Sequence, residues 1–215
     1  ADLGVTSVWL TPVLTNDMPQ ASYHGYANTD NYQIDPRLGT NETYRKLGEE
    51  LHKRKMKLVH DVVPNHVGLY HWTVIDKPFK EWLHEWPSFT QTTYKDQTIF
   101  DPYAAVADRD RMEKGWFVET MPDMNQENEY VQKYILQSHI WWIEYAGIDG
   151  FRIDTYPYND LAFMAKWTTA IQKEYPQFSF FGETWVQSVP NQAYFLGGQR
   201  VGQSIDTKLD GVTDF

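Results

Sequence analysis

The feature that most constrains this chain is an alternation: a short apolar run, then a stretch with helical spacing of apolar residues, then another run. Residues 5–11, Val5-Thr6-Ser7-Val8-Trp9-Leu10-Thr11, form the first run, which Pro12 stops. Residues 42–54 follow, with Tyr44, Leu47 and Leu51 on one helical face and Thr40 or Asn41 as N-cap. They lead into a second run, residues 56–63, ended by Pro64. Residues 126–145 return to helical spacing, with Tyr130, Tyr134, Trp141 and Tyr145 as its apolar positions and Gly147 as cap. A run at 150–154, a helix at 161–174 and a run at 178–183 continue the series, and a further run begins at 211–215. Such repeats place helices outside a parallel sheet, so the expected class is α/β.

Residues 67–120 break the rhythm and are rich in Trp, Phe, Tyr, Pro and His. Structureless loops of that length are uncommon in compact domains, so the stretch reads as an inserted subdomain. The expected organisation is residues 1–66, then the insertion 67–120, then residues 121–215. A closed eight-stranded βα barrel takes about 250 residues and at least about 200. Four strands and the start of a fifth cannot close one, so a partial barrel is expected. The chain opens directly on a strand pattern, without the basic start and apolar core of a signal peptide, and is expected to begin inside a longer protein.

Composition narrows the partners. With 29 acidic against 19 basic residues the formal charge is -10, which repels a polyanion, so no nucleic-acid partner is expected. There is no cysteine, which excludes disulfides and thiolate metal sites. No apolar run approaches the ~20 residues that span a bilayer, so no membrane contact is expected from this segment. The 9 Trp, 14 Tyr and 11 Phe exceed what the helical patterns use, and those in loop-like stretches are candidates for stacking on sugar rings.

Ionisable residues gather where the runs end: Asp61, Asn65 and His66 after the second, Arg152 and Asp154 on the third, Glu183 on the fourth. In barrel enzymes the carboxyl ends of the strands carry the active site. Arg152 and Asp154 are two apart on a strand and share a face, so the guanidinium is expected to lower the pKa of Asp154 and keep it anionic. Glu183 follows Phe180, Phe181 and Gly182 and precedes Trp185, an apolar setting expected to raise its pKa. Two carboxylates tuned apart suit glycoside hydrolysis, and a structural ion-pair network is the alternative.

Asp61-Val62-Val63-Pro64-Asn65-His66, Gly150-Phe151-Arg152-Ile153-Asp154-Thr155 and Gly182-Glu183-Thr184-Trp185 resemble three conserved regions of the α-amylase family, glycoside hydrolase family 13, in the family's order. Tyr23-His24-Gly25-Tyr26 and Asp35-Pro36-Arg37-Leu38-Gly39-Thr40 are similar to the segment after the family's second strand. The resemblance implies a partial (β/α)8 TIM barrel, strands 2 to 5 and the start of 6, with the inserted domain B after strand 3. It implies Asp154 as nucleophile, Glu183 as general acid/base and Arg152 as the partner that orients Asp154. His24 and His66 would bond sugar hydroxyls, Tyr26 would stack beneath the ring, and Asp61 would brace the site. Met121-Pro122-Asp123-Met124-Asn125 and the Trp82-Leu83-His84-Glu85-Trp86-Pro87 stretch resemble the neopullulanase and cyclomaltodextrinase group, in particular the neopullulanases of bacterial starch-utilisation systems. The implied substrates are α-glucans with α-1,4 links: pullulan, starch, cyclodextrins and malto-oligosaccharides.

The resemblance has departures. The family's third catalytic carboxylate, an Asp preceded by His, has no match, since Asp206, Asp210 and Asp214 come too early and none follows a histidine. The remainder of the barrel is therefore expected to be needed for activity. Tyr156-Pro157-Tyr158 stands where many members carry Lys-His, and either tyrosine is a candidate for stacking on the acceptor side. No cofactor is required; Asn65 and Asp123 match calcium-ligating positions, and oxygen-only ligation suits that ion. Trp72, Trp82, Trp86 and Trp116 are expected to form the small core of the insertion rather than a sugar platform. The resemblance favours a periplasmic or secreted bacterial setting. The alternatives are an α-1,6-glucosidase of the same family, a sugar-binding homologue without catalysis, and a magnesium-dependent barrel enzyme, which would need a lysine or histidine base at a strand end.

Overall fold

A computed structural model describes residues 1–19, 23–198 and 205–214. In chain order the elements are β1 (Ser7–Trp9), β2 (Leu14–Thr15), β3 (Asp30–Ile34), α1 (Asn41–Lys53), β4 (Lys57–Val62), α2 (Trp72–Ile75), α3 (Gln97–Phe100), α4 (Val106–Lys114), α5 (Glu129–Ala146), β5 (Gly150–Ile153), α6 (Leu161–Glu174), β6 (Ser179–Gly182), α7 (Val189–Tyr194) and β7 (Gly211–Val212). Five strands pair in parallel in the order β1-β4-β5-β6-β7, and β2 and β3 form a separate antiparallel ribbon. The described residues form an open arc of barrel type, and Phe215, the end of the last expected run, lies outside them. Among them, no helix is long and apolar enough to cross a membrane.

Alternation along the strands sorts the side chains into two layers. Leu58, His60 and Val62 of β4, Phe151 and Ile153 of β5, and Phe180 of β6 point to the helices and are at most 2% exposed. Against them pack Tyr44 and Leu51 of α1, Ile135 and Trp142 of α5, and Phe163, Trp167 and Ile171 of α6. Two histidines enter this layer with partners: His60 Nδ1 meets the Tyr44 hydroxyl at 2.8 Å, and Trp167 Nε1 donates to His139 Nδ1 at 3.0 Å. The opposite face carries Trp9, Asp61, Arg152 and Phe181, placed side by side by the pairings Asp61↔Arg152 and Arg152↔Phe181.

Capping fixes where the helices begin. Thr40 and Thr43 close a reciprocal box on α1. Asn41 instead bonds the backbone of Ile34 and Tyr32, tying the helix to the ribbon. The helix at 126–145 starts three residues later, at Glu129 behind the Asn128 cap, and ends at Gly147 with φ +67°. Its buried stripe also differs from the expected one: Val131, Ile135, Trp142 and Ala146 face the sheet, while Tyr130 is exposed and Tyr134, Trp141 and Tyr145 are half-buried. Aliphatic and indole groups fill the dry side, and the tyrosines lie at its margin, where Tyr134 turns its hydroxyl to His71 Nε2. The first strand is shorter than its apolar run because β1 is an edge of the described sheet, with only β4 to pair.

Trp82 is buried and Trp86 and Trp116 are half-buried, with indole N–H groups donating to Thr73 Oγ1, Lys114 O and His84 O. They act as internal packing of the long excursion between β4 and α5; Trp72 is half exposed and stacks on His71.

Helix α1 approaches α5 at Gly48, where an added Cβ would stand 2.2 Å from the Ala146 carbonyl oxygen. Gly48→Ala gains helix propensity but forces two backbones apart. The expected outcome is a net loss of roughly 1–2 kcal/mol, measured by denaturant unfolding of the protein that carries this chain.

Candidate active site

The carboxyl ends of β4, β5 and β6 bring three carboxylates around one guanidinium. Arg152 Nη1 donates to Asp61 Oδ1 at 3.0 Å and to Asp154 Oδ1 at 2.8 Å, and its Nη2 reaches Glu183 Oε1 at 2.6 Å. Its carbon lies 5.5 Å from the Trp9 ring centre and 5.4 Å from that of Tyr26, so the cation also rests between two aromatic faces. Trp9 Nε1 and the Tyr26 hydroxyl donate to Asp61 Oδ2 at 3.1 and 3.3 Å. Backbone bonds continue the strand ladder through the site: Asp154 N to Val62 O, and Glu183 N to Ile153 O.

Glu183 is not in the apolar envelope expected for it. Trp185 Nε1 donates to its Oε1 at 2.9 Å, and the Thr155 backbone N–H donates to its Oε2 at 3.0 Å. Phe180 points away, into the helix layer. Thr155 has φ +44°, a left-handed conformation that a β-branched residue rarely adopts and that aims its N–H at Glu183.

The expected direction for Asp154 is also reversed. Burial pushes its carboxyl up to about 7, and the charges of Glu183 and Asp61 add to that rise against the pull of Arg152. Asp61 is raised to about 6, again chiefly by burial, with Arg152, Trp9 and Tyr26 opposing. One cation shared by three acids cannot hold each as low as a dedicated partner would.

Above this cluster lies a cavity of about 490 Å3. His24, Tyr26, His66, Asp154 and Glu183 line it. Asp61 and Arg152 are not among its lining residues and form the layer beneath, which makes them supports rather than sugar contacts. His24 and Tyr26 stack at 5.6 Å, and Gly25 between them, with φ +88°, passes so close to Pro12 that a Cβ would meet its carbonyl oxygen at 2.4 Å. His66 Nε2 donates to the Tyr26 carbonyl at 3.2 Å, and burial lowers its pKa to about 4, so it is a neutral imidazole at pH 7.

Phe117, Tyr158 and Trp185 complete the cavity wall, and Phe117 stacks on His66 at 5.3 Å. Phe117 and Tyr158 meet edge to face at 5.5 Å, and Tyr94 braces both with its ring while its hydroxyl donates to the Phe117 carbonyl. Of the two tyrosines considered for the acceptor side, Tyr158 faces the cavity and Tyr156 is fully buried against Gly182 and Phe195. Sequence reasoning missed Trp9, Thr155 and Phe117. Trp9 was legible, since it ends a strand whose neighbour ends in Asp61; nothing signalled the other two.

Asn65 and Asp123 are engaged by neighbouring side chains of the protein. Calcium takes six to eight oxygens. Here Asp123 Oδ2 accepts a 2.6 Å hydrogen bond from His84 Nδ1, and Asn65 Nδ2 turns to His66 Nδ1 at 3.3 Å. Among the described residues no group of three His, Cys, Asp or Glu could hold a metal ion.

Comparison with known proteins agrees with this architecture. The family model "Alpha amylase, catalytic domain" matches residues 1–213, and the chain belongs to the α-amylase family. Within it the chain is of the neopullulanase and cyclomaltodextrinase kind. It is 32% identical over 189 residues to the intracellular maltogenic amylase of Bacillus subtilis, covering 88% of this chain and 30% of that protein. It is 30% identical to neopullulanase 2 of Thermoactinomyces vulgaris, covering 86% and 30%. The crystal structure of the Geobacillus thermoleovorans α-amylase complexed with acarbose superposes with a TM-score of 0.71 at 36% identity, covering 86% of this chain and 38% of that one. The chain thus spans about 30% of the length of these curated relatives, and its open sheet is a part of their barrel. The expectation of a periplasmic or secreted setting is overturned by the Bacillus subtilis relative, which is named as intracellular.

Arg152→Met leaves the buried Asp61 and Asp154 and the half-buried Glu183 without their cation. The expected loss is about 3–5 kcal/mol of unfolding free energy at pH 8, measured by denaturant titration. The loss shrinks at pH 5, below the raised values of Asp61 and Asp154, where both are protonated and need no cation.

Proposed function

We propose that this chain carries the catalytic core of a retaining α-glucan hydrolase that cleaves α-1,4-glucosidic bonds in pullulan, starch, cyclodextrins or malto-oligosaccharides. The observation that carries the proposal is the Arg152 guanidinium joining Asp154 and Glu183 on the floor of an open, aromatic-walled cavity. Asp154 attacks the anomeric carbon as a carboxylate and forms a β-glucosyl-enzyme intermediate. Glu183 gives a proton to the departing oxygen and then takes one from water. Arg152 aligns the two carboxylates, and Asp61 holds Arg152 from below. His24 bonds a hydroxyl of the ring being cleaved through the nitrogen that the Tyr26 N–H does not take, Tyr26 lies beneath that ring, and neutral His66, with Nε2 on the Tyr26 carbonyl and Nδ1 facing Asn65, meets the sugar only by exchanging one of these bonds for a hydroxyl. Tyr26 donates to Asp61 Oδ2, whereas Trp185 donates to Glu183 Oε1. Trp185 and Tyr158, both in the cavity wall, therefore receive the leaving-group sugar.

The family's third carboxylate is to come from the rest of the barrel, so the 215-residue piece alone is expected to turn over negligibly. The name of the Bacillus subtilis relative, an intracellular maltogenic amylase, supports action inside the cell.

Incubating the enzyme that carries this chain with pullulan tests the bond specificity. Panose is the expected product, whereas maltotriose or no attack would refute the α-1,4 assignment on that substrate. Asp154→Asn should reduce turnover to background, and Glu183→Gln should lower kcat by about 10²–10⁴-fold.

The pH dependence follows from Asp154, which reacts when ionised. Its carboxyl charges as pH rises through about 7, so kcat/KM climbs over that interval. Asp61→Asn removes a negative neighbour, makes Asp154 easier to ionise and moves this limb to lower pH. A limb that stays in place or moves upward in the variant contradicts the proposed coupling.

A further inference from the structure

The region where the resemblance implied calcium is closed by side chains of the chain itself. His84, in the excursion between β4 and α5, is joined to Asp123 twice: its backbone N–H donates to the Asp123 carbonyl at 3.0 Å, and its Nδ1 donates to Oδ2 at 2.6 Å. Both are well buried, with side-chain exposures of 16% and 3%. Beside them Lys114, the last residue of α4, places Nζ 3.0 Å from Glu127 Oε1 and 3.5 Å from Asp110 Oδ1. Two indole N–H groups hold the donors in position: Trp116 donates to the His84 carbonyl and Trp86 to that of Lys114. The space left here is about 20 Å3 and has the carboxylates Glu113, Asp123, Glu127 and Asp160 in its wall, but His84 and Lys114 stand among them and already turn their N–H groups to Asp123 and Glu127.

We infer that His84 and Lys114 fasten the excursion to the carboxyl end of β4 and the start of α5 in place of a divalent ion, so this junction is indifferent to calcium and to chelators. The fastening has two layers. The buried His84–Asp123 bond leaves an uncompensated carboxylate if it is cut, which makes it the stronger. The Lys114 pair is partly in water, with Glu127 55% exposed, and contributes little by itself. Its place is to neutralise Glu127, which also comes within 3.8 Å of His84 Nε2. Asp123 in turn bridges to His66, so the clasp borders the sugar cavity without lining it.

The test is hydrogen–deuterium exchange of the full-length protein, read locally in residues 64–66, 82–86 and 110–127 so that ions bound elsewhere do not count. Exchange there should be the same with a chelator as with millimolar calcium chloride. Protection gained with calcium, or lost with the chelator, overturns the inference. His84→Leu should accelerate exchange in 82–86 and 120–127 by about 5-fold or more, and His84→Asn, which keeps a donor, should restore most of it. Unchanged exchange in His84→Leu also overturns it. Lys114→Met is the milder variant, expected to show roughly a 2-fold rise confined to 110–127. None of these readings depends on glucan hydrolysis, so they stand apart from the functional proposal.

Discussion

Everything at the carboxyl end of the sheet depends on one guanidinium. Arg152 compensates Asp61, Asp154 and Glu183 at once, while Trp9 and Tyr26 cover its faces. The arrangement leaves two negative charges in excess if all three acids ionise. Burial weakens solvation and strengthens the mutual repulsion of the acids, which is why Asp61 and Asp154 hold protons more tightly than free carboxyls do. A fourth carboxylate, the family's third catalytic one, would join an already crowded site if the rest of the barrel supplied it, and Arg152 would then be divided further.

Much of this was legible in the sequence, for a physical reason. The alternation of apolar residues is imposed by the helix layer, so Phe151 and Ile153 announced both the strand and, by parity, the face that Arg152 and Asp154 share. The start of α1 followed from its Thr40 cap, whereas α5, capped by Asn128, begins three residues later than its apolar pattern suggested. The buried face of α5 was misread because tyrosine satisfies a helical pattern equally well on a dry side or a half-wet one. The pKa direction of Asp154 was misread because pair reasoning sees Arg152 and Asp154, whereas Asp61 comes from a strand 91 residues away and Glu183 from another. Phe117 and Tyr94 belong to a stretch without period, where contacts are set by tertiary packing alone.

The aromatic residues divide by where their polar atoms go. Indoles of the excursion pass their N–H groups to backbone oxygens and become internal ties, as Trp86 and Trp116 do. Trp185 gives its N–H to Glu183 and leaves its ring largely in water. Phe117 and Tyr158 present their rings to the cavity, held by Tyr94 from behind. A single amino-acid class thus serves both as mortar and as wall.

The pairing of Asp61 with Arg152 and of Arg152 with Phe181 has a consequence for folding itself. Sliding β5 by one residue would carry Arg152 and Asp154 into the layer of Trp142 and Trp167, and Phe151 into the cavity. Both faces would fail together, one by stranding charge in a dry interior and the other by losing its cation. The reactive residues are therefore also a proofreading device for strand alignment: a chain that assembles out of step cannot mature into a stable but inert protein.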